Sequence, residues 1–309
     1  MKRQAIYPTE SVRGWLPWGA LAPFLAVVLV VVPSIPATLL LRRLRLVGAD
    51  ENPIGVGGMY SFLLLTFTLI GLVVLAWVAL VERRSFASIG LVRRNAAKTF
   101  LRGFGVGLAM SSAIAAAIWL TGSARAEGFG RAFATPVTLL HMGLLLACFS
   151  FQSSVEEVVF RGWLFSGVAL KLNVPIAIVV TSLAFTLLHF EPKVGPLFFV
   201  NICLFSVFAC SWALRVGDVW GVMGWHGAWN WLFGVGYEVP ITGLNLKMPA
   251  LIVRLVPTGS DLLTGGAQGP EGSLFCTALL VAGTVFVWWR TTTRPQDSTR
   301  EARVEALDR

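Results

Sequence analysis

Ser153-Ser154-Val155-Glu156-Glu157-Val158-Val159-Phe160-Arg161-Gly162 sets two adjacent carboxylates and a guanidinium into apolar sequence running from about Thr138 to Leu170. In a lipid environment a charged side chain near the bilayer centre costs roughly 2.5–3.5 kcal/mol on insertion scales. Two acids and a base at such a depth need a reason. On a helix Glu157 and Arg161 stand four apart, share a face and can pair. Glu156 points about 100° away, since a helix has about 3.6 residues per turn. One acid can therefore be held by the arginine while the other stays free to work.

Working outward, the composition agrees with a membrane setting. Of 309 residues 56% are hydrophobic and 13% charged, and the mean hydropathy is +0.73. That indicates an all-α, polytopic membrane protein rather than a soluble domain. The net charge of +9 does not indicate nucleic acid, because the lysines and arginines fall in short clusters between apolar runs, where topogenic and lipid-facing roles explain them. Cys148, Cys203, Cys210 and Cys276 all lie in apolar segments with no CxxC pair. They read as small core residues, neither disulfides nor zinc ligands. Lys2 and Arg3 precede an apolar run too long for a signal peptide and without an A-x-A-like cleavage site, so a retained first helix is expected.

Apolar runs long enough for a hydrocarbon core of roughly 30 Å fall at about 16–41, 59–81, 100–120, 137–157 (or on to 170), 174–190, 195–214, 218–236 and 273–290. About eight transmembrane helices are thus expected, in a single transmembrane domain over 1–290 whose polar-bearing core is about 137–236. Pro33 and Pro36 are expected to kink or shorten the first. The stretch from Glu82-Arg83-Arg84 to Lys98 and Arg102 reads as a basic amphipathic connector at a membrane surface. Residues 242–272, rich in Gly and Pro, read as a long outer loop, and 291–309 as a disordered charged cytoplasmic tail. Gly103-Phe104-Gly105-Val106-Gly107 and Gly217 to Gly221 have small-xxx-small spacing with no preceding strand, and read as helix-packing faces.

Eight spans put both termini on one side, which allows a charge count. The termini side holds 17 basic residues: Lys2, Arg3, Arg13, six in the second connector, Arg161, Lys171, Arg215 and five near the C-terminus. The opposite side holds 8: Arg42, Arg43, Arg45, Arg125, Arg131, Lys193, Lys247 and Arg254. The positive-inside rule puts both termini in the cytoplasm, although Arg42, Arg43 and Arg45 run against it.

With only three histidines, each can be weighed. His189 ends the fifth run. His226 and Asn230, four apart in the seventh, face the same way. His141 has no polar neighbour at helical spacing and reads as packed or interfacial. Intramembrane polar groups can simply join helices, at about 0.6 kcal/mol per bond in one measured system. Glu156, Glu157, His189, His226 and Asn230 on three helices form too concentrated a set for that alone. A buried acid beside imidazoles can activate water while donors from another helix stabilise an oxyanion.

Glu156-Glu157-Val158-Val159-Phe160-Arg161, Phe185-Thr186-Leu187-Leu188-His189 and His226-Gly227-Ala228-Trp229-Asn230 resemble the three motifs EExxxR, FxxxH and HxxxN of the CPBP family of intramembrane proteases. That family includes CAAX prenyl endopeptidases and bacterial members linked to bacteriocin immunity. The connector Arg83-Arg84-Ser85-Phe86-Ala87-Ser88-Ile89-Gly90-Leu91 is also similar to the family. The resemblance implies an intramembrane endopeptidase with an active-site cavity. Its substrate would be a membrane-anchored protein or peptide, and its place a prokaryotic cytoplasmic (inner) membrane. Glu156 and His189 would activate the water and His226 and Asn230 would form the oxyanion hole. Glu157 and Arg161 would support the site, and Phe185 would pack around His189. Cofactors stay open between none and Zn²⁺, since His189, His226 and Glu156 could ligate a metal with one open position, while no HExxH is present and a metal-free glutamate mechanism is equally admitted.

Such a site assembles only if the fourth helix continues past Glu157 towards Leu170. Trp220, Trp225, Trp229 and Trp231 crowd the seventh run, where packing competes with a place at the rim of a water-filled cavity. Two readings from other classes remain: a non-catalytic immunity or partner-binding protein on the same scaffold, and a proton-coupled transporter, which would call for broken helices in two related halves that the sequence lacks.

Overall fold

The structure is a computed structural model that describes residues 5–8, 12–49, 52–191 and 194–292. Its main helices are α1 Ala22–Arg43, α2 Gly55–Val81, α3 Ala96–Leu120, α4 Pro136–Lys171, α5 Val174–Leu188, α6 Pro196–Val216, α7 Trp220–Trp231 and α8 Leu274–Thr292. Five of them, α1, α2, α3, α4 and α6, are long and apolar enough to cross a membrane, and the protein is an integral membrane protein. Pro33 and Pro36 lie inside α1 and do not shorten it. The helix starts later than the apolar run, because Pro17 and Pro23 sit where an α-helix would need free amide donors. The tail beyond Thr292 lies outside the described residues.

The fourth helix is continuous over 36 residues, which at about 1.5 Å each exceeds the hydrocarbon thickness. Val158–Leu164 is wound as π-helix within it. Glu156 and Arg161 are therefore parts of one element, as an assembled site requires.

Helix α7 packs chiefly on α3 and α4. Its approach to α3 depends on glycine. A Cβ on Gly103 would run into the Gly221 carbonyl, one on Gly107 into the Trp225 carbonyl, and one on Gly224 into the Phe100 carbonyl. Backbones can come this close only where side chains are missing, which is how membrane helices gain dispersion contact. The small-residue spacing thus sets the height at which α7 presents His226 and Asn230.

Two faces emerge. On the termini face, the Gly14 amide donates to the Glu82 carbonyl and the Val219 amide to the Gly90 carbonyl, and Gly19 lies against Leu172. Here the basic connector departs from a surface segment. Glu82 and Arg84 are buried and paired at 2.8 Å, and the Trp163 and Trp77 indoles donate to Glu82 at 2.7 and 3.1 Å. Burial pushes the Glu82 carboxyl above its ordinary range against the pull of Arg84 and the indoles. The Tyr7 hydroxyl donates to the Arg161 carbonyl at 2.7 Å, and burial holds this phenol well above its usual range.

On the opposite face the helices are joined by longer connectors, and here the fold is not purely helical. A strand β1, Ala124–Phe129, pairs antiparallel with β2, Val253–Pro257, with a bulge between Glu127 and Phe129. The expected outer loop therefore has structure of its own. Alternation of Val253 and Leu255 against Arg254 supplies a strand pattern that the surrounding glycines and prolines obscure.

Candidate functional site

Both acids of the quoted stretch sit on α4, but in different surroundings. Glu157 is fully buried. Its Oε1 accepts from Arg161 Nη1 at 3.0 Å and from His226 Nδ1 at 2.8 Å. The guanidinium is itself fully buried and lies 4.3 Å from the Phe185 ring centroid, where the ring's negative face compensates part of its desolvation. Glu156 keeps 18% of its side-chain surface exposed and brings Oε2 to 3.8 Å from His226 Nε2. The rotation between adjacent helical positions separates them into one liganded acid and one that faces space.

The imidazoles are oriented from behind. His189, at the C-terminus of α5, has Nδ1 2.8 Å from the Phe185 carbonyl. A carbonyl only accepts, so Nδ1 carries the hydrogen and the neutral ring keeps a lone pair on Nε2. His226 Nδ1 faces a carboxylate, so the same tautomer holds there. The Phe185 ring packs on His189 at 4.6 Å and on Phe205 at 6.0 Å, and Phe205 meets His226 at 4.9 Å. This aromatic wall holds both rings in place.

Asn230 Nδ2 donates to Gln152 Oε1 at 3.3 Å and lies 3.4 Å from Ser153 Oγ. Both contacts are long, so the amide can turn to a better acceptor. Gln152 stands four residues before Glu156 on the same α4 face, a spacing that points to it in the sequence. Glu271 carries no such signal. It sits among Gly and Pro in the last connector, yet it is buried, accepting from Trp229 Nε1 at 2.9 Å and from the Thr242 amide and hydroxyl at 2.6 and 2.9 Å.

Glu156, His189, His226, Asn230, Gln152, Phe185 and Glu271 line one cavity of about 330 Å³. Glu157 and Arg161 lie beneath it. The remaining wall comes from α2 (Leu63, Phe67) and from connectors of the face opposite the N-terminal segment, including Asn52, Pro53, Thr242 and Leu244. Among the described residues no three His, Cys, Asp or Glu side chains are placed to hold a metal ion. His189, His226 and Glu156 share the cavity but do not converge as such a set. The four cysteines are free.

Two expectations change. His141 has a polar partner, from another helix: the Tyr60 hydroxyl lies 2.8 Å from its Nδ1, well away from the acids of α4. The crowded tryptophans of α7 do not rim the cavity. Trp225 and Trp229 are completely buried among Phe205, Phe208 and Trp212. Trp220 and Trp231 donate to the Val92 and Met142 carbonyls.

The class these features define is a helical membrane protein with a carboxylate and two oriented imidazoles on a cavity within its helices. Residues 137–232, the segment holding all three motifs, match the family described as "Type II CAAX prenyl endopeptidase Rce1-like". The segment is thus of the CPBP and CAAX protease family, and a CAAX-type protease kind of function comes with it. No curated protein and no solved structure matches the chain.

Proposed function

We propose that the protein is an intramembrane endopeptidase that hydrolyses a peptide bond of a membrane-associated polypeptide. Glu156 takes a proton from a water held between it and His189, and the water oxygen attacks the scissile carbonyl carbon. The carbonyl oxygen becomes an oxyanion facing Asn230 Nδ2 and His226. With Nδ1 already bound to Glu157, His226 can donate from Nε2 only as an imidazolium, and the buried Glu157 carboxylate is placed to stabilise that charge. The proton on Glu156 then passes to the departing amine as the C–N bond breaks. The observation that supports this most is the division of labour between two neighbouring acids, one fully occupied by Arg161 and His226, the other facing a cavity shared with both imidazoles.

This reading routes no step through a metal. It takes all eight long helices as spans and, from the basic residues, places both termini in the cytoplasm. The test is hydrolysis of a membrane-anchored, quenched-fluorescence peptide library by reconstituted protein. Glu156→Gln and His189→Ala are expected to lose roughly 10²–10⁴-fold in rate, the range for a positioned acid–base group. Equal rates for wild type and both variants would end the proposal. A chelator is expected to leave the rate unchanged; a loss restored by Zn²⁺ would replace the metal-free mechanism.

A further inference from the structure

The cavity that holds Glu156 adjoins a second of about 570 Å³, and Asn52, Pro53 and Leu244 belong to the walls of both. Gly55, Val56 and Met59 at the start of α2 line one side of the second cavity, and 243–248 line the other. Most of that lining is apolar, with Asn52, Asn245 and Lys247 as its polar members. Within 243–248 the Lys247 amide donates to Asn245 Oδ1 at 2.9 Å. Among the described residues, the Leu246 and Met248 amides donate no hydrogen bond inside the chain. A wall that joins apolar side chains to unpaired main-chain donors suits a polypeptide, whose carbonyls accept while its side chains bury.

Both cavities belong to one face. Their connector residues come from 44–54 and 237–273, at the helix ends remote from the segment that carries Gly14, Glu82, Gly90 and Val219. Under the acids the other direction is sealed by the Glu157–Arg161 pair, by Phe160 and Trp163, and by Tyr7 bound to the Arg161 carbonyl, all buried. The sealed face carries Arg83, Arg84, Arg93 and Arg94, together with the more basic share of the chain. By the positive-inside rule that face is cytoplasmic, which leaves the cavities opening away from the cytoplasm.

We infer that the site is reached from the non-cytoplasmic side, and that the second cavity seats the segment flanking the scissile bond. The substrate class is then an exported or membrane-anchored polypeptide whose cleaved segment lies outside the cytoplasm. This rests on the endopeptidase reading for its occupant, but not for its face.

The test uses the full-length chain with one added cysteine, Lys247→Cys on the second cavity or Phe86→Cys on the sealed face, and wild type as the background for the native thiols. In right-side-out membrane vesicles, a membrane-impermeant maleimide is expected to label the 247 position at once and the 86 position only after permeabilisation. The reverse pattern overturns the assigned face. After reconstitution, a polyethylene-glycol maleimide on position 247 is expected to abolish peptide hydrolysis relative to the same variant unlabelled, and on position 86 to leave it unchanged. Full hydrolysis with position 247 blocked overturns the cleft. A wild-type protein that cleaves no peptide overturns the endopeptidase and the cleft's occupant together, while the labelling pattern still decides the face.

Discussion

Two buried carboxylates lie on either side of the site, and both are held by tryptophan. Glu82, on the termini face, accepts from Trp77 and Trp163 and pairs with Arg84. Glu271, on the opposite face, accepts from Trp229 and Thr242 and lines the cavity. Glu82 has a charged partner and is packed shut; Glu271 is held by neutral donors beside open space. The first arrangement favours rigidity, because a buried ion pair tolerates the loss of neither member. The second is weaker and reversible, and it fixes the 241–244 connector at the cavity mouth. The molecule is closed where it is charged and adjustable where it is hollow.

That contrast can be broken in stages. The largest stability effect is expected at the junction of the two regions. Arg161→Met leaves Glu157 buried without its counterion and should cost about 3–5 kcal/mol, seen as loss of folded protein in detergent by thermal unfolding. A stability within 1 kcal/mol of wild type, to roughly the limit for an ordinary surface change, would mean that Glu157 is satisfied without the arginine. A smaller effect belongs to Glu271→Gln, which keeps the shape but sets an amide against three donors. A loss of about 1–3 kcal/mol is expected for the unmatched buried group, with KM for peptide raised more than kcat is lowered. A collapse of kcat alone would make Glu271 part of the chemistry rather than of the cavity wall.

The smallest effect concerns pH. Burial raises the Glu82 carboxyl in the folded state, so the native protein binds this proton more readily than the unfolded chain. Stability should therefore fall as pH rises from the ordinary carboxylate range through the raised value, then level off. Glu82→Gln should remove that slope. A steeper slope in the variant would assign the pH dependence to another group.

Much of this was legible in the sequence, because lipid makes polar residues conspicuous. Glu157 with Arg161, the continuation of the fourth helix, and the common cavity of Glu156, His189, His226 and Asn230 all follow from charge inside apolar runs and from helical spacing. The glycine faces of α3 and α7 were equally visible as spacing. What escaped lay where no period operates. Glu271 sits in Gly269-Pro270-Glu271-Gly272, where only tertiary contact tells it from a solvated loop acid. β1 and β2 are short strands paired over more than a hundred residues of separation, and neither alternates cleanly enough to announce itself. The Glu82–Arg84 pair was read as surface because a run of arginines after a membrane span ordinarily is one. Two indoles and a folded-back N-terminal segment bury it instead.

The π-helical stretch Val158–Leu164 makes α4 a torsional link between the two faces. Such a stretch takes up one residue more than α-helical winding over the same rise, so a chain shortened by one residue there could revert to a plain α-helix of equal length. Everything beyond it would then turn by about 100° against the acids, carrying Trp163 away from Glu82 and Ser166 away from Arg84. A scan of single deletions along α4 would locate the residues whose removal turns the lower face out of phase with the upper.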